Sequence, residues 1–317
     1  MHIGPPKTGT TSIQSSLSQS RGLLADEGFF YPDRAKNHAF LLAPFHDHPK
    51  RQHILQRELA KAGGDEDALA IDVKRYVRNE VFSHHNANII FSSEHLTLLN
   101  HQGVRRLRVF LHRNRENVKI IIYIRHPVEQ AGSLIQEQVK NGARRLSDYA
   151  DNPPFIHYRA LIEKWADIFG ADNMILRPYN KKVWPKGDLI ADFFTVVGLG
   201  HIEHKVPREH ANRGLSAAAV LLADALNGVH PQGATARAKP QFLKDIEGVK
   251  YVPDADILDA VRRSAEPHLV YLKEVWGLTL PEPKVTTVAQ NPFDEAALRS
   301  IALQLNDLSV DKKPRRP

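Results

Sequence analysis

Lys7 stands inside Gly4-Pro5-Pro6-Lys7-Thr8-Gly9-Thr10-Thr11-Ser12, a stretch that combines glycines, hydroxyls and a single cation. Glycines let backbone approach a ligand closely, and a helix starting at Thr10 turns its unpaired N–H groups and positive dipole end toward the same point. These are the parts of a cradle for phosphate or sulfate. The order of residues separates it from a Walker A loop, in which Lys directly follows the last Gly and precedes Ser or Thr. Here Lys7 comes two residues before Gly9.

A second cation follows an apolar run. Ile120-Ile121-Ile122-Tyr123-Ile124 leads into Arg125-His126-Pro127, with Ser133 further along. Pro127 suits the first position of a helix, so Arg125 falls at the carboxyl end of a strand, where open α/β sheets bind ligands. A guanidinium there can hold a phosphate through two hydrogen bonds. Between the two motifs lies Ile89-Ile90-Phe91-Ser92-Ser93-Glu94-His95, another strand whose end carries two groups able to take a proton from an acceptor hydroxyl.

The segment from His2 to Ser12 closely resembles the 5′-phosphosulfate loop of the sulfotransferases that use 3′-phosphoadenosine 5′-phosphosulfate (PAPS), above all their bacterial members. Arg125 and Ser133 resemble the same family's 3′-phosphate motif in type and spacing. The resemblance implies a P-loop NTPase-like sulfotransferase fold with PAPS as co-substrate and no metal. It assigns Lys7 to the bridging oxygen of the leaving group, and Thr8, Gly9, Thr10 and Thr11 to the 5′-phosphate. Arg125 and Ser133 go to the 3′-phosphate, with Arg213 in Asn212-Arg213-Gly214 as a further candidate for it. The base is Glu94 or His95. Glu94 is preferred because Ser-Ser-Glu resembles bacterial members, and Ser93 stands where small-molecule sulfotransferases carry a lysine.

The implied reaction moves a sulfuryl group from PAPS to a hydroxyl or amine of a carbohydrate or small molecule and releases 3′,5′-adenosine bisphosphate. Two rivals are a P-loop nucleotide-dependent kinase and a non-catalytic module for polyanions. Against the first stand the placement of Lys7 and the lack of a clear metal-binding Asp at a strand end. Against the second, no nucleic-acid-binding motif accompanies the positive charge. Weaker signals are Arg177 and Tyr179, which end an apolar run, and the pairs His46/His48 and His84/His85. The latter lack the spacing of a metal site and read as surface residues. Trp165, Trp184 and Trp276 have no secure match to the family's adenine-stacking positions.

The elements that must position these groups alternate between β and α. Thr10 to Asp26 predicts a helix ended by Gly28, Phe29 to Tyr31 a short strand, and 37–86 two helices broken at Gly63 and Gly64. The runs at 89–91, 118–124 and 174–176 suit strands buried on both faces, and helices are predicted over Val128 to Lys140 and Tyr158 to Phe169. The expected architecture is a central parallel sheet flanked by helices. Residues 1–205 form the α/β core, 206–311 a helical portion of the same domain, with a mobile loop from Gly228 to Pro240, and 312–317 a disordered basic tail. Only Met1, His2 and Ile3 are left to form the strand before the loop, so either that strand is short or natural residues precede it.

Composition sets the outer bounds. In 317 residues, 42% are hydrophobic and 25% charged, as in an ordinary globular protein. Lys and Arg number 43 against 36 Asp and Glu, a formal charge of +7 that helps to gather anionic ligands. The absence of cysteine excludes disulfides, thiolate metal sites and cysteine nucleophiles. No apolar run is long enough to span a bilayer and none forms a signal-peptide core, so a cytoplasmic location is expected.

Overall fold

In the computed structural model, which describes residues 1–208, 214–229, 241–283 and 291–310, all five residues of the Ile120–Ile124 strand are buried. An unbroken apolar run of this kind is stable only where both faces of a sheet are covered. The described residues group into two compact units. The first comprises Met1–Arg125, His157–His210 and His268–Leu280, and the second His126–Ile156, Ala211–Pro267 and Pro281–Pro317.

The first unit carries two parallel strand pairs. Strand β1 (Phe29–Phe30) pairs with β2 (Asn88–Ile89), and β3 (Ile120–Ile124) with β4 (Met174–Pro178), with Ile120 opposite Met174 and Ile124 opposite Pro178. Residues 1–3 lie between the two pairs. His2 forms parallel bridges to Ser92 on one side and Ile121 on the other. The His2 N–H donates to Phe91 O at 2.8 Å, and the Ile3 N–H to Ile121 O at 3.0 Å. The hydrogen-bonded order is therefore β1, β2, residues 1–3, β3, β4, with the first segment of the chain in the middle. Both edges of this short segment are paired.

Helix α1 (Thr10–Gln19) follows the loop and buries Ile13 and Leu17, four residues apart on one face. They join a cluster with Ile121, Tyr123, Phe193 and Phe194. Each fully buried apolar side chain of this size contributes about 1.5–3 kcal/mol relative to exposure. The predicted helix over 10–26 is two: Ser20, with φ −102° and ψ 16°, interrupts it, and Arg21–Asp26 continues in a new direction. Residues 37–86 are also more broken than the periodicity predicts. Short 3₁₀ turns at Ala39–Leu42, Pro49–Arg51 and His53–Leu55 precede helices Gln56–Lys61 and Glu66–Tyr76. The Tyr158–Phe169 helix has the predicted bounds and ends at Gly170, φ 90°.

In the second unit Pro127 takes the first position of the Pro127–Lys140 helix, whose end is capped by His126. Ile135 and Val139 pack with Tyr149, Leu215 and Ala219, and Val128 and Ala131 with Leu258 and Val261. Among the described residues no helix is long and apolar enough to cross a membrane. The tail at 312–317 and most of the loop predicted from Gly228 to Pro240 lie outside the described residues.

Candidate active site

The loop from Gly4 to Gly9 is shaped by close contacts that leave no room for side chains at two positions. A Cβ on Gly4 would lie 2.9 Å from His2 Nε2 and 3.0 Å from Thr8 Oγ1. One on Gly9 would lie 2.2 Å from Leu189 Cδ2 and 3.1 Å from Tyr179 Cε2. Gly9 also has φ 77°, a left-handed conformation that glycine adopts freely. Within the loop the buried Thr8 hydroxyl donates to Pro5 O at 2.7 Å, closing a turn. Lys7 holds φ 69°, which costs a residue with a Cβ roughly 1–2 kcal/mol. Helix α1 starts directly after Gly9 with no side-chain cap and no acidic residue in its first turn. Its first N–H groups and the positive end of its dipole are thus left for an anion.

Arg125, at the end of β3, is held against this loop. Its guanidinium donates to Lys7 O at 3.2 Å and lies 5.3 Å from the centre of the Tyr179 ring. Its backbone is clamped by the buried Tyr158 hydroxyl, which donates to Arg125 O at 2.8 Å. Tyr179 is placed by its N–H, which donates to Ile124 O at 2.7 Å. The Lys7–Gly9 loop thus meets Arg125 and Tyr179, which are more than a hundred residues away in sequence. Arg177 is committed elsewhere: it pairs with the fully buried Asp192, which also accepts from Tyr123 at 2.7 Å.

Glu94 and His95 follow Ser92, which bridges His2 beyond the end of β2, and lie in a 3₁₀ turn at Glu94–Leu98. The Gln14 amide of α1 donates to Glu94 Oε2 at 2.9 Å, and His95 Nε2 lies 3.6 Å from Glu94 Oε1. A buried network fixes Ser92, two residues before Glu94. The Ser92 N–H donates to His38 Nδ1 at 3.0 Å, and the Ser92 hydroxyl is 2.8 Å from His2 Nδ1. His38 Nε2 lies 3.1 Å from Pro32 O, which only accepts, so the ring carries its proton on Nε2 and leaves Nδ1 bare. Burial pushes both His2 and His38 down to about 3, so both rings are neutral near pH 7. Ser93, which stands where small-molecule sulfotransferases carry a lysine, is fully buried, and among the described residues its hydroxyl has no hydrogen-bond partner.

Ser133 lies on the Pro127–Lys140 helix of the second unit, and Arg213 lies outside the described residues. The histidine pairs have local roles: His46 Nδ1 accepts from the His48 N–H at 3.0 Å, and His84 stacks on Phe30 at 3.8 Å. Among the described residues no group of three or more histidine or acidic side chains gathers to hold a metal ion. Trp165 is buried against Phe169, and the Trp184 indole donates to Pro178 O.

No family model matches the chain. A stretch of 139 residues is 29% identical to an uncharacterized protein of Archaeoglobus fulgidus, covering 44% of this chain. The match spans 38% of that relative's length. Among solved structures, a sulfotransferase from Alicyclobacillus acidocaldarius is similar with a TM-score of 0.42 and 17% identity, over 88% of this chain and 95% of that one.

Three residues of the site escape the motifs. Gln14 lies one helical turn after Thr10, so its position on the face of Thr10 was readable, but its partner Glu94 is 80 residues away. Tyr158 opens a helix and reads locally as a core aromatic. His38 sits in a histidine-rich stretch whose local pattern says only surface.

Proposed function

We propose that this chain is a PAPS-dependent sulfotransferase. The observation that carries the reading is the docking of Arg125 on the backbone carbonyl of Lys7, which joins the two phosphate motifs of the sequence at one uncapped helix start. The fit to a phosphosulfate is supported by the loop itself. Gly4 and Gly9 keep side chains out of it, and no carboxylate stands in the first turn of α1 to repel an anion.

In this reading the acceptor oxygen or nitrogen attacks sulfur in line while the bond from sulfur to the phosphate oxygen breaks. The Lys7 ammonium neutralises the charge growing on that leaving oxygen, and the α1 N-terminus with Thr8, Thr10 and Thr11 holds the 5′-phosphate. Arg125 takes the 3′-phosphate. Ser133 and Arg213 enter by resemblance alone. Glu94 receives the acceptor's proton: Gln14 holds one of its oxygens and leaves lone pairs on the other. His95 is the alternative base. The acceptor is a carbohydrate or small molecule.

Thermal shift tests the reading directly. 3′,5′-Adenosine bisphosphate without metal stabilises the protein, by about 2.7 kcal/mol at a hundredfold excess over Kd. Stabilisation by ATP with Mg²⁺ and none by the bisphosphate would mark the chain as a nucleotide-dependent kinase instead.

A further inference from the structure

The first unit holds a cavity of about 350 Å³ that shares no residue with the candidate active site. Pro44, Phe45, Val109 and Phe110 form its apolar floor, and Lys74, Arg78, Arg105, Arg106 and Arg113 surround it. From the His101–His112 helix and the residue after it, positions 105, 106, 109, 110 and 113 fall on one face, so that helix supplies both floor and cations. No acidic side chain lines the cavity.

The cations are held in different ways. Arg106 is engaged with Asp47 at 2.6 Å and with Phe45 O at 2.7 Å. Arg78 lies over the Phe110 ring at 5.4 Å and Lys74 near the Phe45 ring at 6.0 Å, so both charges are poised on the aromatic floor. Among the described residues no carboxylate pairs with Arg78, Arg105 or Arg113, and Val109 is 52% exposed. An apolar floor beside three guanidinium groups that no described carboxylate pairs with, those of Arg78, Arg105 and Arg113, is complementary to a molecule with an apolar body and an oxyanion head. A nucleic acid or sulfated polysaccharide would need charges along an extended track and would gain little from the floor. The volume is that of a pocket for one small molecule.

We infer that this cavity binds a soluble small anionic amphiphile, an aromatic or alkyl body carrying a sulfate, sulfonate or phosphate. The proposal does not depend on the sulfotransferase reading. The test uses the full chain and two fluorescent probes, the anionic 8-anilinonaphthalene-1-sulfonate and the neutral N-phenyl-1-naphthylamine. The sulfonate binds saturably at one site per chain. Its affinity falls about tenfold or more in the Arg105→Gln/Arg113→Gln variant. It falls likewise in Val109→Asp, which puts a carboxylate on the floor at an exposed position, while circular dichroism and melting temperature stay unchanged. Equal binding of the neutral probe, with both probes indifferent to the variants, overturns the proposal. So does co-sedimentation with vesicles containing phosphatidylglycerol in the absence of sulfonate binding, which makes the basic face a membrane contact.

Discussion

Lys7 combines a proposed chemical role with a conformational cost, and the two can be separated by substitution. Lys7→Gly removes the ammonium but also relieves the left-handed strain at φ 69°. Its stability stays within about 1 kcal/mol of wild type, because glycine's greater unfolded-state entropy offsets the relief. The single-turnover rate of sulfuryl transfer from labelled PAPS nevertheless falls by about 10²–10³, the usual loss for one preorganised charge-stabilising group. Equal rates in a stopped assay would remove Lys7 from the mechanism. Glu94→Gln and His95→Asn divide the base role. The variant that removes the base loses about 10²–10⁴ in rate, and the other loses far less. Lys7, Arg125 and Glu94 were candidates from sequence because each sits in a short stretch whose order has chemical meaning, and the fold sets Arg125 on the Lys7 carbonyl and Glu94 on Gln14. Gln14 and His38 were not, because what they do is fixed by partners 80 and 54 residues away.

At the scale of elements, the loop and α1 are fitted to one another by the bare backbone at Gly9. Gly9→Ala pushes a Cβ into Leu189 at a backbone angle that alanine avoids, and costs about 1–3 kcal/mol in a denaturant melt. Combining it with Leu189→Ala recovers part of that loss, so the two changes are not additive. Gly22 provides the contrast. It lies exposed in the Arg21–Asp26 helix with nothing near its Cβ position, and Gly22→Ala stabilises the protein by about 0.4–1 kcal/mol. The Tyr158–Phe169 helix was legible to the residue because a long apolar period and a clear stop at Gly170 bound it. The stretch at 37–86 was not. Proline at 44 and 49 and its packing under tertiary contacts favour short 3₁₀ turns that no periodicity reports.

For the whole molecule, the two buried histidines set a pH dependence. Both have folded pKa values near 3, far below the unfolded value of about 6.5, so the unfolded chain binds more protons between those limits. Stability is full above about pH 6.5 and falls as pH drops through the window toward 3, by up to about 1.4 kcal/mol per pH unit for each ring. Urea melts at pH 7, 6 and 5 measure it, and His38→Asn shallows the slope. The placing of the first segment at the centre of the sheet, and the assembly of each unit from three separate stretches, were not legible. Both depend on pairings between residues about a hundred positions apart, which leave no local trace.

The central position of residues 1–3 also has a consequence in time. His2 meets Ser92 across 90 residues, and the strand's other edge waits for β3, whose last residue is Ile124. At roughly 5–20 residues per second, a ribosome needs about 6–25 s to deliver β3 after the loop has been made. Residues 1–3 are therefore made well before their partners and are among the last to find their place. Refolding should be slow for the same reason, and the loop from Gly4 to Gly9 should gain hydrogen-exchange protection only in the final phase.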